Sequence, residues 1–271
     1  MASDHDPLAN ALSTGYTRPG FAADYHRYRP RPPAALFDLV MRLARATRPD
    51  LVVDLGSGTG LSTEPWAARA RQVVGVEPID EMRAIAEATA IAPNVRYVAA
   101  VAQHTGLPDA AADIVTCSQS LHHLEPESTL REVGRLLRPG GTFAAYDYDW
   151  PPAVHPEAER ALAEFLDRAR GLRRARGIAS GQEQWDKADH LARMQRSGMF
   201  RSVEEIALQN EEPCTAERWV GFALSLGHVI PLLDLDPVEL GLPSLREAAE
   251  RAIGDAGLPW RVTYRVRVGV K

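Results

Sequence analysis

The chain has 271 residues, with 31 Lys and Arg against 36 Asp and Glu and a formal net charge of -5. That length buries a core large enough for one enlarged α/β domain or a domain with a cap, and the acidic balance argues against a broad grip on nucleic-acid phosphates and for a small-molecule partner. The two cysteines, Cys117 and Cys214, lack metal-ligand spacing, the first ten residues lack a signal-peptide pattern, and no apolar run reaches the roughly eighteen residues of a membrane span, so the expectation is a cytoplasmic protein with no metal and no membrane partner.

Residues 1–33 are polar and rich in Tyr, Arg and Pro, ending in DYHRYRPRPP, and they read as irregular because prolines are excluded from helix interiors. AALFDLVMRLARAT then sets Leu36, Phe37, Val40, Leu43 and Ala44 on one stripe at helical spacing. From Leu51 onward short apolar runs (LVVDL, QVVGVE, VRYVAA, ADIVTCS, GTFAAYDY) alternate with helical patterns (STEPWAARA, IDEMRAIAEATA, PESTLREVGRLLRPGG). That rhythm predicts an α/β fold with a doubly wound, Rossmann-like parallel sheet over 34–150.

After Trp150 the alternation stops. PEAERALAEFLDRARGLRRARG and EQWDKADHLARMQRSGMF read as helices of a cap or connection over 151–199. SVEEIALQNEE and the terminal WRVTYRVRVGVK alternate apolar and polar residues, predicting two further strands within 200–271, antiparallel at the sheet edge, around a helical insert at about 213–258. In the insert, Asp236, Pro237 and Glu239 spell a helix start. The basic run Arg170 to Gly177 reads as a solvated helix end.

The stretch LVVDLGSGTG carries the chemistry. Gly56, Gly58 and Gly60 fall between a strand and a helix, where backbone approaches a ligand closely, and a side chain at Gly56 or Gly58 would take up the ligand's space. Asp54 sits at the carboxyl end of the first strand, and Glu77 ends the next one, about twenty residues past the glycines, where an acid accepts both hydroxyls of a ribose. The spacing is GxGxG rather than the dinucleotide GxGxxG, and Asp54 would repel a pyrophosphate while attracting an ammonium. The ligand implied is a nucleoside joined to an amino acid.

With these residues the sequence resembles the class I S-adenosylmethionine-dependent methyltransferases, in particular the small-molecule group related to aconitate methyltransferases. VVDLGSGTG resembles the first motif of that family, VVGVEP its ribose-binding acid and AQHTGLPDAAADIV its adenine segment, with SLHHL and RLLRPGG completing the set and YHRYRP resembling an N-terminal flap over the cofactor. The resemblance implies a seven-stranded sheet with an antiparallel last strand, a helical cap, and S-adenosyl-L-methionine as cofactor. It implies further that Asp54, Gly56, Ser57 and Gly58 meet the methionine end, that Glu77 takes the ribose, and that Pro78, Ile79, Ala102 and Gln103 line adenine. Ser118 joins the cofactor-binding set, while Tyr25 closes over the methionine end and Arg29 pairs with the cofactor carboxylate. Gln103 stands where the family usually has an acid, which leaves a neutral amide oxygen for the adenine amino group.

Methyl transfer from a sulfonium mainly requires positioning of the acceptor and, for a hydroxyl or acidic carbon, removal of its proton. His122 and His123, after the fourth strand, are the candidate bases; Tyr146 and Tyr148 at the end of the fifth strand and His228 in the insert are candidate acceptor contacts. The absence of a [DN]PP[YF] tetrad and of a Pro-Cys nucleophile removes adenine-type N-methylation and cytosine carbon methylation. What remains is O- or C-methylation of a small organic acceptor by a monomer or homodimer, with natural-product tailoring as one setting. A cofactor-binding protein with a regulatory or cyclising role, and more remotely a nicotinamide oxidoreductase, are the alternatives.

Overall fold

The structure, a computed structural model, describes residues 6–13, 15–178 and 182–271. Seven strands form one sheet in the order β3-β2-β1-β4-β5-β7-β6. They are β1 Leu51–Leu55, β2 Gln72–Val76, β3 Val95–Val98, β4 Ala112–Ser118, β5 Leu137–Tyr148, β6 Ser202–Cys214 and β7 Leu258–Val270. Strands β1 to β5 pair in parallel, while β7 runs antiparallel both to β5 and to β6. The Rossmann-like sheet with an antiparallel last strand is therefore as expected, except that of the two strands placed at the edge β7 lies inside the sheet and β6 alone is at an edge. Strand order reverses between β1 and β4, and ligands of open α/β sheets bind at the carboxyl ends of the strands flanking such a switch.

Alternation along the strands feeds two cores. Val52, Ala144 and Tyr146 face one side, packed with α3 Ala34–Leu43, α6 Pro156–Ala175, α8 Ala216–Leu224 and α10 Leu242–Ala252. Val53, Leu55, Phe143 and Ala145 face the other, under α5 Pro126–Leu136. Helices α6, α8 and α10, all after Trp150, thus share a core with one sheet face. Trp219, Phe222 and Trp260 anchor it, with the Phe222 and Trp260 rings edge-to-face at 4.9 Å.

Three sequence expectations change. Residues 1–33 are not irregular throughout: they hold α1 Pro7–Leu12, capped by Asp6, and α2 Phe21–Tyr28. The prolines act only from Arg29, which precedes Pro30 and takes extended backbone with ψ 149. STEPWAARA forms a single 3-10 turn, Glu64–Trp66, flanked by turns rather than the expected helix. In the run from Glu183 to Phe200 the α-helix is only α7 His190–Arg196, since the backbone N–H of Trp185 is spent on the carbonyl of His122. The predicted start at Asp236 is present: its carboxylate caps Val238 N at 2.8 Å and opens α9 Pro237–Leu240.

The N-terminal arm is clamped to the helical insert. Glu217 Oε1 accepts from Arg27 and from the Tyr28 hydroxyl, and the Tyr28 ring lies so flat on α8 that a Cβ at Gly221 would come within 2.4 Å of it. Helix propensity alone would make Gly221→Ala stabilising by about 1 kcal/mol, but overpacking against a ring costs ~1–3 kcal/mol. The substitution is expected to lower the melting temperature and to speed proteolysis within residues 15–33. Unchanged melting and cleavage would show that the arm is not seated on Gly221.

Candidate functional site

The glycine loop folds back on the end of β2: the N–H groups of Gly56 and Ser57 both donate to the carbonyl of Val76, at 2.9 and 3.1 Å. Gly56 has φ +65, and a Cβ there would come 2.7 Å from that of Ser120, so the glycine is demanded by backbone conformation and by the β4 loop rather than by ligand space. Asp54 lies beneath this loop with no exposed surface. Its two oxygens accept from Thr63 at 2.7 Å and Thr116 at 2.6 Å. Burial pushes its carboxyl up to about 6 against those hydrogen bonds. Asp54 does not line the cavity; it holds the loop to β1 and β4.

Above the loop, at the carboxyl end of the sheet, lies a concave cleft of the kind that takes small molecules. Gly56, Ser57, Gly58, Glu77, Pro78, Ile79, Ala102, Gln103 and Ser118 line it from the sheet, and Tyr25 and Arg29 from the arm. The sequence-predicted set thus converges, Asp54 excepted. Glu77 Oε2 accepts from Gly58 N and Oε1 from Ile79 N, both at 2.9 Å, which aims the carboxylate and leaves each oxygen capacity for a further donor. The buried Ser57 Oγ and Gln103 Oε1 have no hydrogen-bond partner among the described residues. Buried polar atoms left open in this way mark a place where a ligand supplies the partner.

A second chamber opens from the first, with Tyr25, Arg29, Gln119, His123 and Tyr148 common to both. His122 and His228 line only this chamber. Tyr146 lines neither: it is fully buried, with its hydroxyl 2.7 Å from Ser62 Oγ, because alternation on β5 turns it into the core. Arg29 is buried in a neutral socket, donating to Ser225 Oγ at 2.9 Å, the Ser225 carbonyl at 2.5 Å and the Tyr148 hydroxyl at 2.8 Å, over the ring of Tyr25. No carboxylate pairs with it among the described residues.

His122 Nδ1 faces Asp147 Oδ1 at 3.5 Å. Lys187 Nζ is 3.0 Å from the same oxygen, and the buried Arg267 donates to Oδ2 at 3.1 Å. Burial pushes the Asp147 carboxyl up, but His122 and Lys187 outweigh it and hold it well below the usual range. Burial lowers His122, with Asp147 opposing and Lys187 assisting, and lowers His123 still further. Both imidazoles are neutral at physiological pH. Asp147 is a carboxylate beside a neutral imidazole, and at 3.5 Å, with neither His122 Nδ1 nor Asp147 Oδ1 hydrogen-bonded among the described residues, the contact between them is electrostatic rather than a hydrogen bond.

Sequence reading missed Tyr16, Gln119, Arg173 and Lys187. Gln119 has one local mark, a φ of 53, and such strain gathers at sites; its amide oxygen accepts from Lys187 at 3.0 Å. Arg173 belongs to the basic run read as a solvated helix end, yet it lines the second chamber. Nothing in the local sequence distinguishes it from its neighbours. Among the described residues no group of His, Cys, Asp and Glu could hold a metal, and no helix is long and apolar enough to cross a membrane.

Burial, opposed by the Ile79 and Gly58 N–H groups, raises the Glu77 carboxyl to about 7 from its ordinary 4.5. The folded chain then holds a proton there that the unfolded chain releases, so this group's contribution to stability falls as pH rises from about 4.5 through 7. Glu77→Gln cannot titrate. The stability advantage of wild type over the variant should therefore shrink between pH 5 and pH 8 in paired thermal melts; a constant or widening gap would mean that Glu77 is ionised throughout.

Residues 53–145 match the family model described as a methyltransferase domain. A Saccharomyces cerevisiae protein provisionally named S-adenosylmethionine-dependent methyltransferase CRG1 is 30% identical over 152 residues, 54% of this chain and 52% of that one. The ubiquinone/menaquinone biosynthesis C-methyltransferase UbiE of Rubrivivax gelatinosus is 33% identical over 112 residues, 41% of this chain and 44% of that one. This chain spans about half the length of the curated relatives it matches. A solved structure from Anaeromyxobacter dehalogenans, provisionally named a type II methyltransferase, superposes with a TM-score of 0.62 at 27% identity, covering 90% of this chain and 98% of that one. Sheet order, the glycine loop, the acid that follows β2 and these likenesses agree: residues 53–145 form a methyltransferase domain on the class I sheet, a kind of domain whose cofactor is S-adenosylmethionine.

Proposed function

We propose that the protein methylates an oxygen or carbon of a small organic acceptor held in the second chamber, with His122 as the base. The observation that carries this reading is the Asp147–His122 pair on the wall of a chamber that opens directly into the nucleoside cleft. UbiE, as its name states, is a C-methyltransferase of a biosynthetic pathway to small molecules, which is compatible with this reading.

When bound, S-adenosylmethionine supplies the sulfonium methyl group. In the reading proposed, Glu77 accepts the ribose hydroxyls, Gln103 Oε1 accepts from the adenine amino group, and Arg29 meets the cofactor carboxylate. Arg29 enters this role already stripped of water, so a carboxylate docking on it gains a charge-assisted contact at little further desolvation of the protein. His122 would take the acceptor's proton as the methyl group is transferred. Asp147 then faces an imidazolium and offsets its charge. His123, with its ring 3.9 Å from that of His122, walls both compartments and excludes water.

S-adenosylhomocysteine is expected to raise the melting temperature, and Glu77→Gln to weaken its binding by about 1–3 kcal/mol, since one acceptor oxygen becomes an amide donor. Calorimetry with no wild-type binding at millimolar ligand would overturn the cofactor assignments. For the base, His122→Asn should lower kcat roughly a hundredfold or more at unchanged S-adenosylhomocysteine affinity. Wild-type activity should fall as pH drops through a value below the ordinary 6.5, because the neutral imidazole is the active form and burial lowers it. Labelled methyl transfer into a metabolite extract reads both. Wild-type turnover and pH profile in the variant would assign the proton to another group or to none.

A further inference from the structure

Lys187 belongs to no motif of the sequence. It opens the 3-10 turn Lys187–Asp189, in the connection between α6 and α7, and its ammonium reaches the histidine site from there. Nζ lies 3.0 Å from Asp147 Oδ1, closer to that oxygen than His122 Nδ1 at 3.5 Å, and it donates to Gln119 Oε1 at 3.0 Å. The placement is built from the backbone outward. The N–H of Trp185 donates to the carbonyl of His122 at 2.9 Å. The Asn10 side chain ties the same connection to the histidine turn, donating to the His123 carbonyl at 3.1 Å and accepting from Glu183 N at 2.8 Å. The chain that carries Lys187 is thus fixed to the turn that carries His122.

The charges around Asp147 balance without His122. Lys187 and Arg267 face its two oxygens, Arg267 also meets Glu205 at 2.9 Å, and Arg265 links Glu205 to Asp149. Three cations answer three carboxylates. The other groups set around His122 add no anion: His123 on its own turn, with the rings 3.9 Å apart, His190 on α7, held down to about 4 chiefly by burial, and His228, Arg29 and Arg173 in the lining of the shared chamber, with neutral phenols between them. No Asp or Glu lines that chamber among the described residues. A proton on His122 would therefore be a buried charge without a counterion of its own. Without Lys187, the Asp147 oxygen nearest Nδ1 would lack a cation, and the imidazole would charge and close on it.

We infer that Lys187 is a positioning residue of the methyl transfer: by holding the Asp147 oxygen that faces His122, it keeps the imidazole unpaired and uncharged, free to receive a proton instead of being locked to the carboxylate. Its part in catalysis rests on the reading of His122 as the base. Its hold over the contact between His122 and Asp147 does not.

Nitrogen NMR of the full chain with labelled imidazoles tests this without cofactor or acceptor, the His122 signals being assigned by their loss in His122→Asn. In Lys187→Met, His122 is expected to titrate about one pH unit or more above its wild-type midpoint, the scale on which a nearby opposite charge acts. Lys187→Arg keeps the cation and should stay near the wild-type midpoint. If Lys187→Met melts well below wild type, Lys187→Gln takes its place with the same rise expected. An unmoved midpoint in the neutral variant, or an equal rise in Lys187→Arg, overturns the inference. In labelled methyl transfer to a metabolite extract, the acid limb of the neutral variant should move to higher pH by the same interval, a displacement that a lysine merely shaping the chamber would not give. An acid limb that stays in place, where His122→Asn abolishes turnover, overturns it likewise. Wild-type turnover in His122→Asn would instead bring down the reading of His122 as the base, and the two midpoints would still decide what Lys187 does.

Discussion

The carboxylate of Asp54 is the pin on which the site hangs. It sits where the strand order reverses, shut away from water, and its two oxygens are taken by Thr63 from the turn after the glycine loop and by Thr116 from β4. A charge in that position is stabilised only while both hydroxyls point at it. The spacing between loop and β4 is thereby fixed, and with it the position of Ser120, whose side chain closes under Gly56 and donates to the carbonyl of Leu55 at 2.8 Å. The loop N–H groups, Glu77 and the start of the histidine turn inherit their placement from this knot.

On the opposite side of β5 a second buried carboxylate plays a different part. Asp147 is surrounded by cations rather than hydroxyls, and it stays ionised where Asp54 is driven toward the neutral form. The two acids lie on strands of one sheet and are similarly buried. Their partners alone separate a structural acid from one able to offset an imidazolium, an instance of neighbours outweighing desolvation.

Legibility followed the range of the interactions. The sheet was readable because each parallel strand is a short apolar run between turn signals, and the cleft floor because Gly56, Gly58, Glu77 and Gln103 sit at local, motif-like positions on strand ends. Asp54 was misplaced toward the ligand because the threonines that claim it lie 9 and 62 residues away. Tyr146 was misplaced because strand ends leave open which of two alternating residues points inward. Tyr16, Gln119, Lys187 and Arg173 come from four separate elements, and only tertiary packing brings them to one chamber. The N-terminal helices were hidden by prolines that in fact only mark where α2 stops.

The arm has a consequence for how the two compartments communicate. Tyr25 and Arg29 form part of the wall of both, and Tyr25 is tied to Tyr16 and Phe21 by ring contacts at 6.0 and 5.9 Å. A shared wall cannot settle around one occupant without changing the surface offered to the other. Whatever free energy the arm lends to one guest is therefore felt by the second, and thermodynamic reciprocity requires the factor to be the same in both directions. Affinity for the nucleoside and affinity for its companion are then two readings of a single equilibrium, the seating of twenty-odd residues at the N-terminus.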